Sequence, residues 1–193
     1  MTSPFIASAW EVNYNLGAMI LYHGSNISID SIDLARCNKY KDFGQAFYLT
    51  TDPEQAMEVA KARAELFGGE PVINTYEFNE ALLSDGTLTF QSFPSYTDEW
   101  TEFIFAHRDE TKVPPHMHSF DVVHGPIAND RVGVQVRNYR QGYITLEEFR
   151  RRLHYMKGVT YQYAFCTPCA ISKLRKQWQC TSLPRSSASW LKT

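Results

Sequence analysis

The sequence predicts an α+β fold, and three observations carry the prediction. Short apolar strands and well-capped helices follow one another without a regular strand–helix–strand alternation. No internal repeat or low-complexity linker divides the chain. The composition, 44% apolar and 21% charged, is that of an ordinary globular domain. A length of 193 residues fits one domain with a sizeable core.

Met19–Tyr22 is a short apolar run stopped by His23-Gly24-Ser25, which reads as a buried strand ending in a turn. Residues 26–42 are polar and irregular, a loop. Ala46–Thr50 reads as a second strand. A helix start follows: Asp52 can cap, Pro53 suits the first helical position, and Gln55 stands three residues after the cap. Ala56, Val59, Ala60 and Ala64 continue the helix to Gly68-Gly69, which stops it. Val72–Phe78 alternates at its end and reads as a strand. Trp100, Phe103, Ile104 and His107 have helical spacing within a second helix, Thr97–Arg108. Phe120–Val123 is a strand entering Gly125-Pro126, and Arg131–Val136 is expected to extend or pair with it. Thr145-Leu-Glu-Glu148 is a capping box opening a third helix to about Leu153. Tyr161–Phe165 is a late strand, followed by a further helix.

The formal net charge of −2 gives no overall attraction to nucleic acid or to an anionic membrane. Its distribution is uneven. Arg150, Arg151, Arg152, Lys157, Lys173, Arg175, Lys176, Arg185 and Lys192 form a C-terminal series with no intervening acid. That series either binds phosphate or an acidic partner, or is a solvated terminus. With Trp178 and Trp190 it is the feature on which a single-stranded nucleic-acid target would rest.

Of the four cysteines, Cys37, Cys166, Cys169 and Cys180, two form Cys166-Thr-Pro-Cys169. This is CxxC spacing without a second CxxC or a nearby His pair, so reduced structural thiols are expected, as in a cytoplasmic protein. His116 and His118 have no acidic or Cys partner at ligand spacing, so no metal is expected. Asp121 and Asp130 read as strand-end or turn aspartates. The first ten residues lack a basic signal-peptide region, and no apolar stretch approaches the roughly 20 residues that cross a bilayer. Neither a Rossmann nor a Walker glycine loop is present.

Three segments carry the chemistry. Leu21-Tyr22-His23-Gly24-Ser25 resembles the first motif of ADP-ribosyltransferases of the poly(ADP-ribose) polymerase and diphtheria-toxin type, where a strand presents a His, a Gly and a small hydroxyl residue. Phe43-Gly44-Gln45-Ala46-Phe47-Tyr48-Leu49-Thr50 resembles their second motif, a glycine turn leading to a Tyr that packs on nicotinamide. Tyr161-Gln162-Tyr163-Ala164-Phe165 resembles the late strand that carries their catalytic Glu. Phe47–Ala56 and Phe120–Asp130 are longer strings similar to a bacterial family of transferase-like proteins found in toxin–antitoxin pairs. The resemblance spans about residues 19 to 174, leaving 1–18 as an N-terminal extension and 175–193 as a basic tail.

The resemblance implies a split β-sandwich, two small sheets flanking an NAD cleft with peripheral helices. It implies that NAD is a substrate and that no metal is used. His23 would hydrogen-bond the adenosine-side ribose, Gly24 would offer its amide and carbonyl to the nicotinamide carboxamide, and Ser25 would help orient it. Phe43 and Gly44 would form the turn that presents Tyr48, and Tyr48 would stack on the nicotinamide ring, worth about 1 kcal/mol beyond its buried area. Nicotinamide is already a cationic leaving group, so catalysis rests on positioning and on stabilising an oxocarbenium-like ribose.

Two departures stand out. Gln162 occupies the position of the usual Glu, and Thr160 stands two residues before it. A neutral amide orients but supplies no charge, and losing one preorganised stabiliser costs on the order of 10²–10³ in rate. The second aromatic of the nicotinamide sandwich is also missing. The matching helix offers only Val59, and Trp100 and Phe103 are expected in the core. The implied activity is mono-ADP-ribosylation of a macromolecule, protein rather than nucleic acid, by a toxin or defence effector with a possible antitoxin or inhibitor partner. The alternatives are a catalytically silent NAD or ADP-ribose-binding module and an NAD glycohydrolase.

Overall fold

A computed structural model describes residues 17–111, 113, 115, 117–128, 130–154 and 158–177. The expectations for residues 1–16, His116, Lys157, Trp178, Cys180, Arg185, Trp190 and Lys192 lie outside these residues.

The architecture is α+β, built on two small sheets. The first has the order β1 (Ala18–Ser25), β3 (Val72–Asn79), β7 (Arg175–Gln177), all antiparallel. The second has the order β2 (Phe47–Leu49), β6 (Tyr161–Phe165), β5 (Val122–Pro126), β4 (Phe90–Ser92), with only β4–β5 parallel. Strand alternation divides the apolar residues into two cores. Leu21, Phe47, Leu49, Tyr76, Phe78, Val122 and Phe165 pack between the sheets. Val123 and Ala164 face the other way, onto helices α2 (Asp98–His107), α3 (Asp130–Arg140) and α4 (Leu146–His154).

The capping chemistry reads true to the sequence. Asp52 accepts from the amides of Glu54 and Gln55 at the start of α1 (Pro53–Phe67), which ends at Gly68. Thr97 caps α2, Thr145 accepts from the amide of Glu148 at α4, and Thr167 caps the short α5 (Pro168–Ile171). Cys166, Cys169 and Cys37 are free thiols.

Three segments depart from expectation. The first is His23-Gly24-Ser25, expected as the turn that stops the first strand; it continues β1 opposite Asn74, Ile73 and Val72, where pairing with β3 holds it extended. Residues 131–136, where Val132, Val134 and Val136 alternate, were expected to extend the 120–123 strand or pair with it. They belong to helix α3. Val132 and Val136, one helical turn apart, are buried against α2 and α4, whereas Val134 is 45% exposed. An i, i+4 pair in the core outweighs an i, i+2 pattern whose middle member has nothing to pack on. Arg175–Gln177, expected as the start of the tail, add strand β7 to the first sheet.

Among the described residues, the basic series is largely tied to acids. Arg150 pairs with Asp98, Arg151 and Arg152 with Glu148, Arg175 with Glu77, and Lys176 with Asp30. Among the described residues no helix is long and apolar enough to cross a membrane.

Candidate active site between the two sheet edges

Among the described residues, the backbones of the two sheets pair at one point. Tyr22 on β1 and Thr50 beyond β2 exchange both backbone bonds, Tyr22 N–H to Thr50 O at 2.8 Å and Thr50 N–H to Tyr22 O at 3.0 Å. β1 and β2 are both edge strands, so this antiparallel bridge joins two otherwise free edges. Two residues further along β1 and two back along β2, the same register sets Gly24 opposite Tyr48. No strand pairing is made there. In an antiparallel ladder, every second residue presents its N–H and C=O to the same side. Since Tyr22 uses that side for Thr50, Gly24 presents its amide and carbonyl to the gap, and among the described residues neither has a partner there. The edges therefore part immediately beyond the bridge, leaving a donor and an acceptor side by side.

His23 spans the gap. Its Nδ1 lies 2.8 Å from the Tyr48 carbonyl, and its ring stacks on Phe47 at 4.5 Å. A carbonyl only accepts, so Nδ1 carries the proton and Nε2 keeps a lone pair. Burial holds the His23 pKa down to about 4; the Tyr48 bond opposes the shift and the nearby Arg63 cation adds to it. The imidazole is thus neutral near pH 7, with Nε2 an acceptor.

Tyr48 is half-buried. Its hydroxyl donates to Gly44 O at 2.7 Å and accepts from the Phe43 amide at 3.1 Å, so the phenol is locked in orientation. Burial, with Asp42 nearby, pushes its pKa well above the ordinary tyrosine value. Gly44 makes this lock: its φ of +79° is the left-handed region, and an added Cβ would stand 3.1 Å from the His107 ring. Cross-strand partners share a face, so Tyr48, opposite Ala164, has Gln162 as its diagonal neighbour on the same face. Thr50 is on that face too. Its hydroxyl donates to Gln55 Oε1 of α1 at 2.9 Å.

Helix α1 forms the wall above β1. An added Cβ at Gly24 would lie 1.9 Å from Ala56 O and 2.8 Å from Ala60 N, so the helix backbone rests directly on Gly24. The missing Cβ is thus required by the helix, while the edge amide and carbonyl stay open. Gln55, Val59 and Arg63 follow at i, i+4 and i+8 and form the row beside the buried Ala56 and Ala60, on the flank that reaches Thr50.

The structure brings His23, Gly24, Tyr48 and Gln162 together around the gap, with Val59, 43% exposed, on the flank of α1 above. It does not bring Ser25 or the Phe43 ring there. Ser25 is buried, alternates to the inter-sheet face, and accepts from the Ile27 amide. Phe43 is fully buried among Phe93, Phe103 and Tyr48, so it supports the site from the core. Trp100 is a core residue, its indole N–H donating to Pro126 O at 3.1 Å, and Phe103 lies in the aromatic cluster with Phe43. Asp121 accepts from Thr89 and Thr167, a strand-end role, and Asp130 opens α3. His118 spends Nε2 on Phe43 O and Nδ1 on the Phe120 amide. Among the described residues no cluster of three or more His, Cys, Asp or Glu could hold a metal. Burial pushes the Cys166 thiol up to about 12.

Sequence reasoning missed three contributors. Thr50 and Gln55 link β2 to α1, and the i, i+4, i+8 row from Gln55 to Arg63 was readable once α1 was assigned. Asp42 was not legible: buried, it pairs with Arg108 and accepts from the Ala128 amide at 2.9 Å, pinning the end of loop 26–42.

No curated protein and no solved structure matched this chain. Residues 19–176, from the first residues of β1 into β7, match the family described as "Protein of unknown function (DUF3990)". That stretch contains both sheets, the gap between them and every residue placed around it, and the chain belongs to the DUF3990 family.

Proposed function

We propose that this protein is an ADP-ribosyltransferase-type enzyme that binds NAD⁺ in the gap between β1 and β2 and transfers one ADP-ribose unit to a macromolecule. The observation that carries the reading is the free edge of Gly24 facing Tyr48. A carboxamide needs one donor and one acceptor side by side, and the Gly24 carbonyl and amide supply that pair. The half-buried Tyr48 ring, held by Gly44, offers a surface for the nicotinamide, and Val59 covers it from α1. His23 Nε2 accepts from a ribose hydroxyl, which its neutral state permits. Gln162, diagonal to Tyr48, is positioned at the ribose and orients it without charge. The acceptor in this reading is protein rather than nucleic acid, since five of the basic residues of the C-terminal series are paired with acids. The toxin or defence role, with an antitoxin or inhibitor as partner, follows the resemblance of the motifs.

A second reading is favoured by one observation: Tyr48, Thr50 and Gln162 place no carboxylate on the face of the sheet at the gap. A catalytically silent NAD or ADP-ribose-binding module would look like this. The test is purified protein with NAD⁺ and cell lysate, reading nicotinamide release and label transfer for wild type, His23→Ala, Gln162→Ala and Gln162→Glu. Label on a macromolecule above the His23→Ala level supports the transferase. Free ADP-ribose alone supports a glycohydrolase. NAD⁺ binding with no turnover in any variant supports the silent module, and no binding of NAD⁺ refutes the site.

A further inference from the structure

We infer that Arg63 of α1 holds the diphosphate of the dinucleotide, the inference resting on the NAD⁺ reading of the gap. The bridge between Tyr22 and Thr50 closes one end of the gap, so a ligand anchored at Gly24 and Tyr48 extends the other way. That end is bounded by loop 26–42, which runs from the end of β1 back to the turn before β2, and by the later turns of α1. The row Gln55, Val59, Arg63 overlooks this path in order: Gln55 at the closed end on Thr50, Val59 one turn on, Arg63 one turn beyond. Arg63 stands near enough to both His23 on β1 and Cys37 in the loop for its charge to act on each.

Its surroundings are those of a cation awaiting an anion. The helix positions three and four residues away are Val59, Ala60, Leu66 and Phe67, so no carboxylate on α1 answers Arg63. Lys61, by contrast, has Glu58 and Glu65 at those spacings. Among the described residues no salt bridge to Arg63 is formed. The loop adds Arg36, Lys39 and Lys41, with no acid from Leu34 to Lys41. Gln45 fixes that loop by donating to Leu34 O and Cys37 O. A guanidinium suits a diphosphate because its fork of N–H donors matches paired phosphate oxygens.

The experiment is calorimetric titration of wild type, Arg63→Gln and Arg63→Lys with nicotinamide, ADP-ribose and NAD⁺ at low and high salt. Arg63 is exposed, so thermal unfolding is expected to stay unchanged. Arg63→Gln is expected to weaken ADP-ribose and NAD⁺ by roughly 10- to 100-fold, the range of charge-assisted hydrogen bonds. It is expected to leave nicotinamide unaffected, to flatten the salt dependence, and to be partly rescued in Arg63→Lys. In the free protein the His23 titration midpoint should rise in Arg63→Gln. Equal losses for nicotinamide and ADP-ribose, or no loss for either, overturn the inference while leaving the NAD⁺ site standing. Wild type binding ADP-ribose through Arg63 but not nicotinamide upholds Arg63 and overturns the nicotinamide reading. Binding of none of the three overturns both.

Discussion

Lowering the pH from 7 to 5 should destabilise the protein through His23, by an amount the structure fixes. Burial favours the neutral ring and outweighs the bond to Tyr48 O, which acts the other way, leaving a folded pKa of about 4 against 6.5 for the unconstrained side chain. A folded pKa below the unfolded one means the unfolded chain takes up the proton first, so stability is full above about 6.5 and is lost as pH falls toward 4. Linkage between those two values gives a loss of about 2 kcal/mol at pH 5 and about 3 kcal/mol at pH 4. Urea unfolding of wild type and His23→Gln across this range isolates the effect, because carboxylates and the other histidines enter both curves alike. His124, whose pKa burial also lowers, is one such shared contributor. The stability difference between the two proteins should shrink by about 2 kcal/mol from pH 7 to pH 5. A difference that stays flat or widens in that interval refutes a neutral, buried His23 and with it the acceptor assigned to Nε2.

Gly24→Ala places a methyl group against the backbone of Ala56 and Ala60, so α1 must move; a loss of about 3 kcal/mol or more in urea unfolding is expected, above the usual overpacking cost. Asp42→Asn leaves the Arg108 guanidinium without its counter-charge beneath loop 26–42, and about 2–3 kcal/mol should be lost by the same measurement, much of it recovered in the double variant with Arg108→Met. Tyr48→Phe removes the hydroxyl that joins Gly44 O and the Phe43 amide; about 1–2 kcal/mol of stability should go, and faster amide exchange at Phe43 would report the released turn.

Where apolar period and capping agreed, the sequence was a sufficient guide. The α1 boundaries follow from Asp52-Pro53 and Gly68, and β1, β3 and β6 from their apolar runs. Strand β7 reads Arg-Lys-Gln and gave no such signal: it is an edge strand held by Glu77 to Arg175 and Gln177 rather than by apolar burial. β4 is three residues long, and its parallel pairing to β5 spans more than 30 residues of chain. Helix α3 hid behind the alternation of its valines. For the site, the order of His23, Gly24, Tyr48 and Gln162 was visible. The roles of Ser25 and Phe43 depend on which side of a strand or turn each faces, and only the register decides that.

The single bridge between Tyr22 and Thr50 has a mechanical meaning. Among the described residues, three strands and four strands hang together at the backbone level by two hydrogen bonds, with the inter-sheet core adding cohesion. A planar amide seated between Gly24 and Tyr48 would act as the next rung of that ladder, fastening the seam where the protein leaves it undone. Ligand binding would then tighten the whole seam, and the slowing of amide exchange at Tyr22 and Thr50, neither of which touches the ligand, would measure how stiffly the halves are joined.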